Sequence, residues 1–423
     1  MTEHEYPIKL NKSIDITGKE VSYQKAEKTK RSKLAINLKG KNINTPLINA
    51  IRRVSEVNLP SYAFAKETIK IAKNTSTAIN NDMLRLTISM LPVLGVDPKI
   101  YFLPDKYCKG VNFSDPARDI HPAEKEYEIF IKVKNNTPEF MDVTTENMKV
   151  VLDGKEIKPY DKEYPIRLII LKPDEELICN MKAVLSTSYI SDDARWMLCP
   201  NSWFTKNIGI DLTKDDVETR AKIRESNKED ENQVKDFTLY LRSNGQTNEY
   251  NIVIRSCKFL LKKLQIIKKE IQTKFDLKEY QIDGQQYDIE LVGEDDTIGN
   301  LLTYEIQNKD NIKYAGYSRD IALKNITLKI TDKNFKSPLK SILDSIDVCS
   351  EKIAHLGAVF MSLKEKRFKN DSDDNESDAM SDDETTDSEE EELPKQKITV
   401  NNKEKNIVNN KEKNIIKQKK SKK

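Results

Sequence analysis

Three consecutive acids, Glu294, Asp295 and Asp296, stand between Gly293 and a Gly299-Asn300 pair in the stretch VGEDDTIGNLL at 292–302. Adjacent carboxylates could hold a divalent cation or work as an acid–base pair, and glycines at a helix start could cradle a phosphate. The surroundings support neither. No second carboxylate cluster with ligand spacing lies nearby to complete a cation site. Gly293 and Gly299 are too few, and wrongly spaced, for a phosphate loop. The cysteines (Cys108, Cys179, Cys199, Cys257, Cys349) contain no CxxC pair, and His4, His121 and His355 lie far apart. A zinc site or a disulfide framework is therefore not expected, and scattered thiols suit a reducing compartment. With no nucleophile–base pair either, the residues offer no catalytic, metal or cofactor site, and an enzyme with a carboxylate site at Glu294–Asp296 stays only a rival reading.

The acids make better sense as the start of a helix. Asp296 can cap it, with Glu294 and Asp295 near its positive end. The same chemistry occurs 251 residues earlier in NTPLINAIRRV (44–54), where Asn44 or Thr45 can cap and Pro46 sits in the first turn. With that shift Leu47 falls on Ile298, Asn49 on Asn300 and Ile51 on Leu302. Each stretch follows an alternating, strand-like segment, LAINLKG (34–40) or YDIELVG (287–293), and precedes a short extended piece, LPSYAF (59–64) or IKYAGY (312–317). A strand–helix–strand unit thus occurs twice.

Each copy also has a long helix. Tyr250, Val253, Cys257, Leu260, Leu264, Ile267 and Ile271 recur in steps of three and four over 248–274. Leu339, Ile342, Ile346, Cys349, Ile353, Leu356, Phe360 and Leu363 do the same over 338–367. One narrow apolar stripe per helix results. It could pack on its own sheet or on the other copy, and two matched stripes favour the second. Between the early part of the first copy and its long helix lie alternating segments at 127–134, 148–154, 166–171 and 177–185, the marks of a mostly β insertion.

Net charge is only +2, but it is strongly segregated. Residues 371–392 carry thirteen acids and no base, and 393–423 carry eleven lysines, two glutamates and a tandem VNNKEKNI. Subtracting that −13 and +9 leaves residues 1–370 at +6. Such a tail cannot bury enough apolar surface to offset its ordering entropy, so it is read as disordered. It could solubilise the chain or bind a regulator, and Ser381, Thr386 and Ser388 each precede an acid by three residues. No signal peptide is visible, and apolar runs such as RLIIL fall far short of a membrane span.

On these residues the chain resembles the alpha-like subunits of multisubunit DNA-dependent RNA polymerases. TPLINAIRRVSEVNLPSYAF, NTSTAINNDMLRLTISMLPV (74–93) and LICNMKAVLSTSYISDDARWMLCP (177–200) are similar to the larger partner, the third subunit of eukaryotic polymerase II. Residues 287–331 resemble the smaller, eleventh one. There are departures: Asp296 replaces a usual histidine, Ile321-Ala322-Leu323 replaces His-Pro-Leu, and the closely spaced four-cysteine site that the larger partner often carries is absent.

The resemblance implies an α+β fold with two alpha-like RNA polymerase dimerisation units in one chain. The first unit would span 1–95 and 234–275, split by a β-rich insertion at 96–233. A linker at 276–286, a second unit at 287–367 and the tail at 368–423 would follow. Leu47, Ile51, Val54, Leu260, Leu264, Ile267, Ile298, Leu301, Leu302, Ile346, Ile353, Leu356 and Phe360 would pair the units within one chain, without a homodimer. Asn49, Arg52, Arg53, Arg195 and Trp196 would dock the two large catalytic subunits, with other small polymerase subunits as further partners. DNA and RNA would be reached only through the complex, and no membrane is involved. Fusions of this kind resemble those of large cytoplasmic DNA viruses, which implies a viral factory in the host cytoplasm and the virion; a non-viral source would imply the nucleus or cytosol. The other reading open is a stand-alone nucleic-acid or histone-binding adaptor acting through the charged tail.

Overall fold

A computed structural model describes residues 13–24, 32–207, 234–320, 325–334 and 336–379, with side-chain surroundings through Lys369. The expectations for His4, for Ile321-Ala322-Leu323 and for residues 380–423 lie outside these described residues.

Two four-stranded antiparallel sheets have the same plan. One has the order β1 (Thr17–Gln24), β2 (Lys33–Gly40), β11 (Lys235–Arg242), β10 (Asn201–Lys206). The other has the order β12 (Gln281–Asp283), β13 (Gln286–Val292), β15 (Asn325–Asp332), β14 (Ile312–Asp320). In each, a hairpin leads into a short helix, α1 (Thr45–Arg53) or α5 (Asp296–Gln307). Each ends in a long helix, α4 (Glu249–Leu277) or α6 (Leu339–Ala379).

Alternation along the strands puts every second residue on one face, so Leu34, Ile36 and Leu38 of β2 and Ile326, Leu328 and Ile330 of β15 are all buried. They join the stripes of both long helices in one continuous apolar core. Burying each such side chain contributes about 1.5–3 kcal/mol.

The insertion has its own core, centred on a five-stranded sheet of order β3 (Ser61–Asn74), β9 (Glu176–Ser186), β4 (Tyr127–Lys134), β6 (Met148–Leu152), β7 (Lys155–Ile157). A two-stranded sheet, β5 (Met141–Thr144) with β8 (Arg167–Leu171), and the helices α2 (Asn81–Ser89) and α3 (Ser188–Ser191) complete it.

Three expected boundaries shift. Residues 61–95, assigned by sequence to the first unit, belong with the insertion: β3 pairs with β9 (Tyr62 opposite Leu185), and Leu84 and Ile88 of α2 lie in the insertion core. Alternation marks a strand but not its sheet. The expected linker at 276–286 is largely built into elements. The long helix runs to Leu277, closed by Lys278 in the left-handed region (φ 58°), and β12 pairs with β13 across a two-residue turn begun by Gly284 (φ 62°). The last helix runs past 367 to Ala379, there being no glycine or proline between Gly357 and Pro394 to stop it.

All five cysteines are buried. Burial pushes the thiols of Cys108 and Cys179 up to about 11 and those of Cys199 and Cys257 up to about 12, and it raises Cys349 as well. Since the thiolate is the reactive form, the folded chain should give no fast reaction with an aromatic disulfide reagent at pH 8, and all five thiols should react after denaturation. A rapidly titrating native thiol would show that its surroundings are not those described here.

Candidate assembly interface

Helices α1 and α5 lie against each other where the two halves meet, and polar contacts bracket both ends. Asn44, in extended backbone, caps α1 by accepting the Leu47 N–H at 2.8 Å. Its amide also donates to Glu305 near the end of α5 at 3.1 Å, and Lys352 of α6 donates to the same carboxylate oxygen at 2.7 Å. At the opposite end Asp295 caps α5 by accepting the Thr297 N–H at 2.9 Å. Arg53 reaches across to Asp295 (3.0 Å) and to the Thr297 hydroxyl (2.8 Å).

The start of α1 therefore meets the end of α5, and the reverse: the helices are antiparallel. Nine residues at about 1.5 Å each make α1 about 13 Å long, close to the span from Asp295 to Glu305. Between the two brackets Leu47, Ile51, Val54, Ile298, Leu301 and Leu302 are all buried. The long helices contribute Leu260, Leu264, Ile267, Ile346, Ile353, Leu356 and Phe360 to the same core, and Lys268 of α4 bonds Asp347 of α6 at 2.5 Å.

Every acid of the opening triplet has a partner. Glu294 accepts from Lys263 at 2.7 Å, and burial holds its carboxyl above the usual carboxylate range against the pull of that lysine. Asp295, not Asp296 as expected, is the cap. Asp296 instead accepts from Arg319 at 2.5 Å and from the Tyr317 hydroxyl at 3.2 Å. Gly299 serves packing: a Cβ there would lie 2.8 Å from the Tyr317 ring. Among the described residues no group of three acids, histidines or cysteines is arranged to hold a metal ion. A cleft of about 350 Å3 opens beside the triplet, between Val54, Phe102, Tyr189, Leu260 and Val292.

The residues expected to dock large subunits are engaged inside the chain. Arg53 lies off the apolar stripe of α1, and its long side chain turns into the seam rather than outward. Arg52 bonds Asn49 (3.0 Å) and Glu56 (2.8 Å), and Glu56 in turn accepts from Ser202 of β10. Trp196 is 2% exposed, donates to the Val184 carbonyl at 3.2 Å and stacks near Phe113. Arg195 bonds Asp193 and the Phe64 carbonyl and lies over the Trp196 ring. The pair thus fastens β3 to β9. Sequence reading missed Glu305, Asn44 as a cross-half donor, and Lys352. A signal existed: Glu305 sits at the i+7 position from Ile298, where a lone carboxylate on an apolar face demands a partner.

Residues 286–358, from the start of β13 into α6, match the RNA polymerase Rpb3/Rpb11 dimerisation domain. The chain is 25% identical over 362 residues to a protein of Acanthamoeba polyphaga mimivirus provisionally named a DNA-directed RNA polymerase subunit, covering 79% of this chain and 92% of that one. It is 28% identical over 204 residues to the DNA-directed RNA polymerase subunit Rpo3 of Methanobrevibacter smithii, covering 45% of this chain and 65% of that one. The chain thus resembles DNA-directed RNA polymerase subunits over most of its length, and its second half carries a match to the Rpb3/Rpb11 dimerisation domain.

Proposed function

We propose that this protein is a non-catalytic assembly platform of a DNA-dependent RNA polymerase, with both alpha-like partners carried in one chain. Its halves form an intrachain pseudo-heterodimer that docks the two large catalytic subunits, beside other small subunits, in a viral factory. The observation that supports this most is the pair of four-stranded sheets of one strand order, joined through α1 and α5 by the Asn44–Glu305 and Arg53–Asp295 contacts. Tethering favours pairing within a chain over exchange between chains at ordinary concentrations. Light scattering should therefore return the mass of a single chain, and a mass of twice that would point to swapped pairing.

Affinity purification from infected cells, followed by mass spectrometry, should recover both large subunits in stoichiometric amounts. Recovery of nucleic acid or histones alone would favour the adaptor reading. Truncation after Asn370 separates the two as well, because both sheets are complete before that residue. The shortened chain should keep its melting temperature and both large subunits. Loss of the subunits with the fold intact would move assembly to the tail.

A further inference from the structure

We infer that the outward face of the insertion sheet binds single-stranded nucleic acid directly, a contact beyond those made through an assembled polymerase. Alternation along β4 buries Tyr127, Ile129, Ile131 and Val133 and turns Phe130, Lys132 and Lys134 to the other side, where all three are exposed. Register carries the same face across the sheet. Phe130 stands opposite Lys149 of β6 and Asn180 of β9, and Asn180 stands opposite Lys70 of β3. One step along, Ile178 of β9 lies between Lys132 and Lys73, and beyond it Lys134 lies opposite Glu176. Neighbouring strands are about 4.8 Å apart, so five lysines share one surface with an exposed aromatic ring.

Most of that charge is unmatched. Lys73 donates to Glu176 at 2.6 Å, and Lys149 pairs with Glu156 at 3.6 Å. Lys70, Lys132 and Lys134 have no ion pair among the described residues. Glu176 lies among them: its carboxyl is held below the usual carboxylate range, first by the hydrogen bond from Lys73, with the charges of Lys134 and Lys132 adding to it. On the other side of Phe130 the patch ends at Glu128 and Glu126, both paired with Lys182. A polyanion fits this surface, and the ring selects the kind. A duplex keeps its bases stacked, and an acidic peptide supplies charge without a flat ring at each residue. A single strand supplies both, phosphates for the lysines and an open base for Phe130.

Fluorescence anisotropy of the full-length protein with a labelled oligothymidylate, read over a range of salt, tests this. The double variant Lys132→Gln/Lys134→Gln should weaken binding by about tenfold and flatten the slope of log K against log salt by about 1.4, since each lost phosphate contact removes about 0.7 on a single strand. Phe130→Leu keeps an apolar side chain on the sheet but no π face, and it should weaken binding by about fivefold or more with the salt slope unchanged. Both variants should melt like the parent, because the replaced side chains are exposed. Crosslinks from an oligonucleotide carrying a photoreactive thiothymidine should map within Tyr127–Lys134. The eleven lysines of residues 393–423 are the competing explanation. Binding that both variants leave unchanged, with crosslinks confined to those residues, belongs to them and overturns the inference. Binding that ignores Phe130→Leu and is displaced equally well by polyglutamate assigns the face to an acidic protein partner and overturns it too. So does a duplex bound as tightly as the single strand, or no measurable binding.

Discussion

Leu264→Asp and Ile353→Asp should each destabilise the protein by roughly 4 kcal/mol or more, because an unpaired carboxylate would replace an apolar side chain that has no access to water. Both residues are 0% exposed and belong to the one core that joins the two halves, Leu264 from α4 and Ile353 from α6. That is a large part of the 5–15 kcal/mol that holds a typical domain together. Ile266 provides the control. It lies on the same helix two residues on and is 42% exposed, so Ile266→Asp should stay within about 0.5 kcal/mol of the parent. Denaturant midpoints of the three variants decide the matter. If the two core variants unfold like the parent, the stripes of α4 and α6 are not in a shared interior and the paired-halves reading fails.

The stripes were legible because their signal is local. A step of three or four residues fixes a helix and its buried face without reference to anything else in the chain, and Leu260 to Ile271 and Ile342 to Phe360 are buried along those steps. The caps at Asn44 and beside Thr297 were equally local, and the shift of the second cap by one residue is the usual uncertainty where two acids are adjacent. What stayed hidden depends on distant partners. Nothing in SYAFAKETIKIAKN says that it pairs with residues over a hundred positions later rather than with β2. The contacts of Arg53 and Trp196 were hidden for one reason: sequence position gives the direction of Cβ, not where a long side chain ends. The polar bracket of Asn44, Glu305 and Lys352 joins three elements, so no single stretch contains it.

Arg53 supplies the second large effect, and the contacts predict a reversal of sign. Arg53→Glu should destabilise the chain itself by roughly 2–4 kcal/mol, since Asp295, whose side chain is 10% exposed, loses its cation and gains a like charge. In the parent, Asp295→Asn should also be destabilising, although asparagine keeps the oxygen that caps α5 and so spares that contribution. In the Arg53→Glu background the same Asp295→Asn change should be stabilising, because it removes the repulsion and leaves an amide that can donate to the new carboxylate. Purely additive effects would mean the two side chains do not meet, and groups in contact usually couple by about 0.5–3 kcal/mol. A docking-only role for Arg53 predicts something different: parent-like stability of Arg53→Glu, lost capture of the large subunits, and no recovery on changing Asp295. Unfolding midpoints of the four proteins in the cycle, together with subunit capture by each, separate the two. If Arg53→Glu assembles poorly and Asp295→Asn restores both stability and assembly, Arg53 acts by holding α1 against α5, and large-subunit docking depends on that seam.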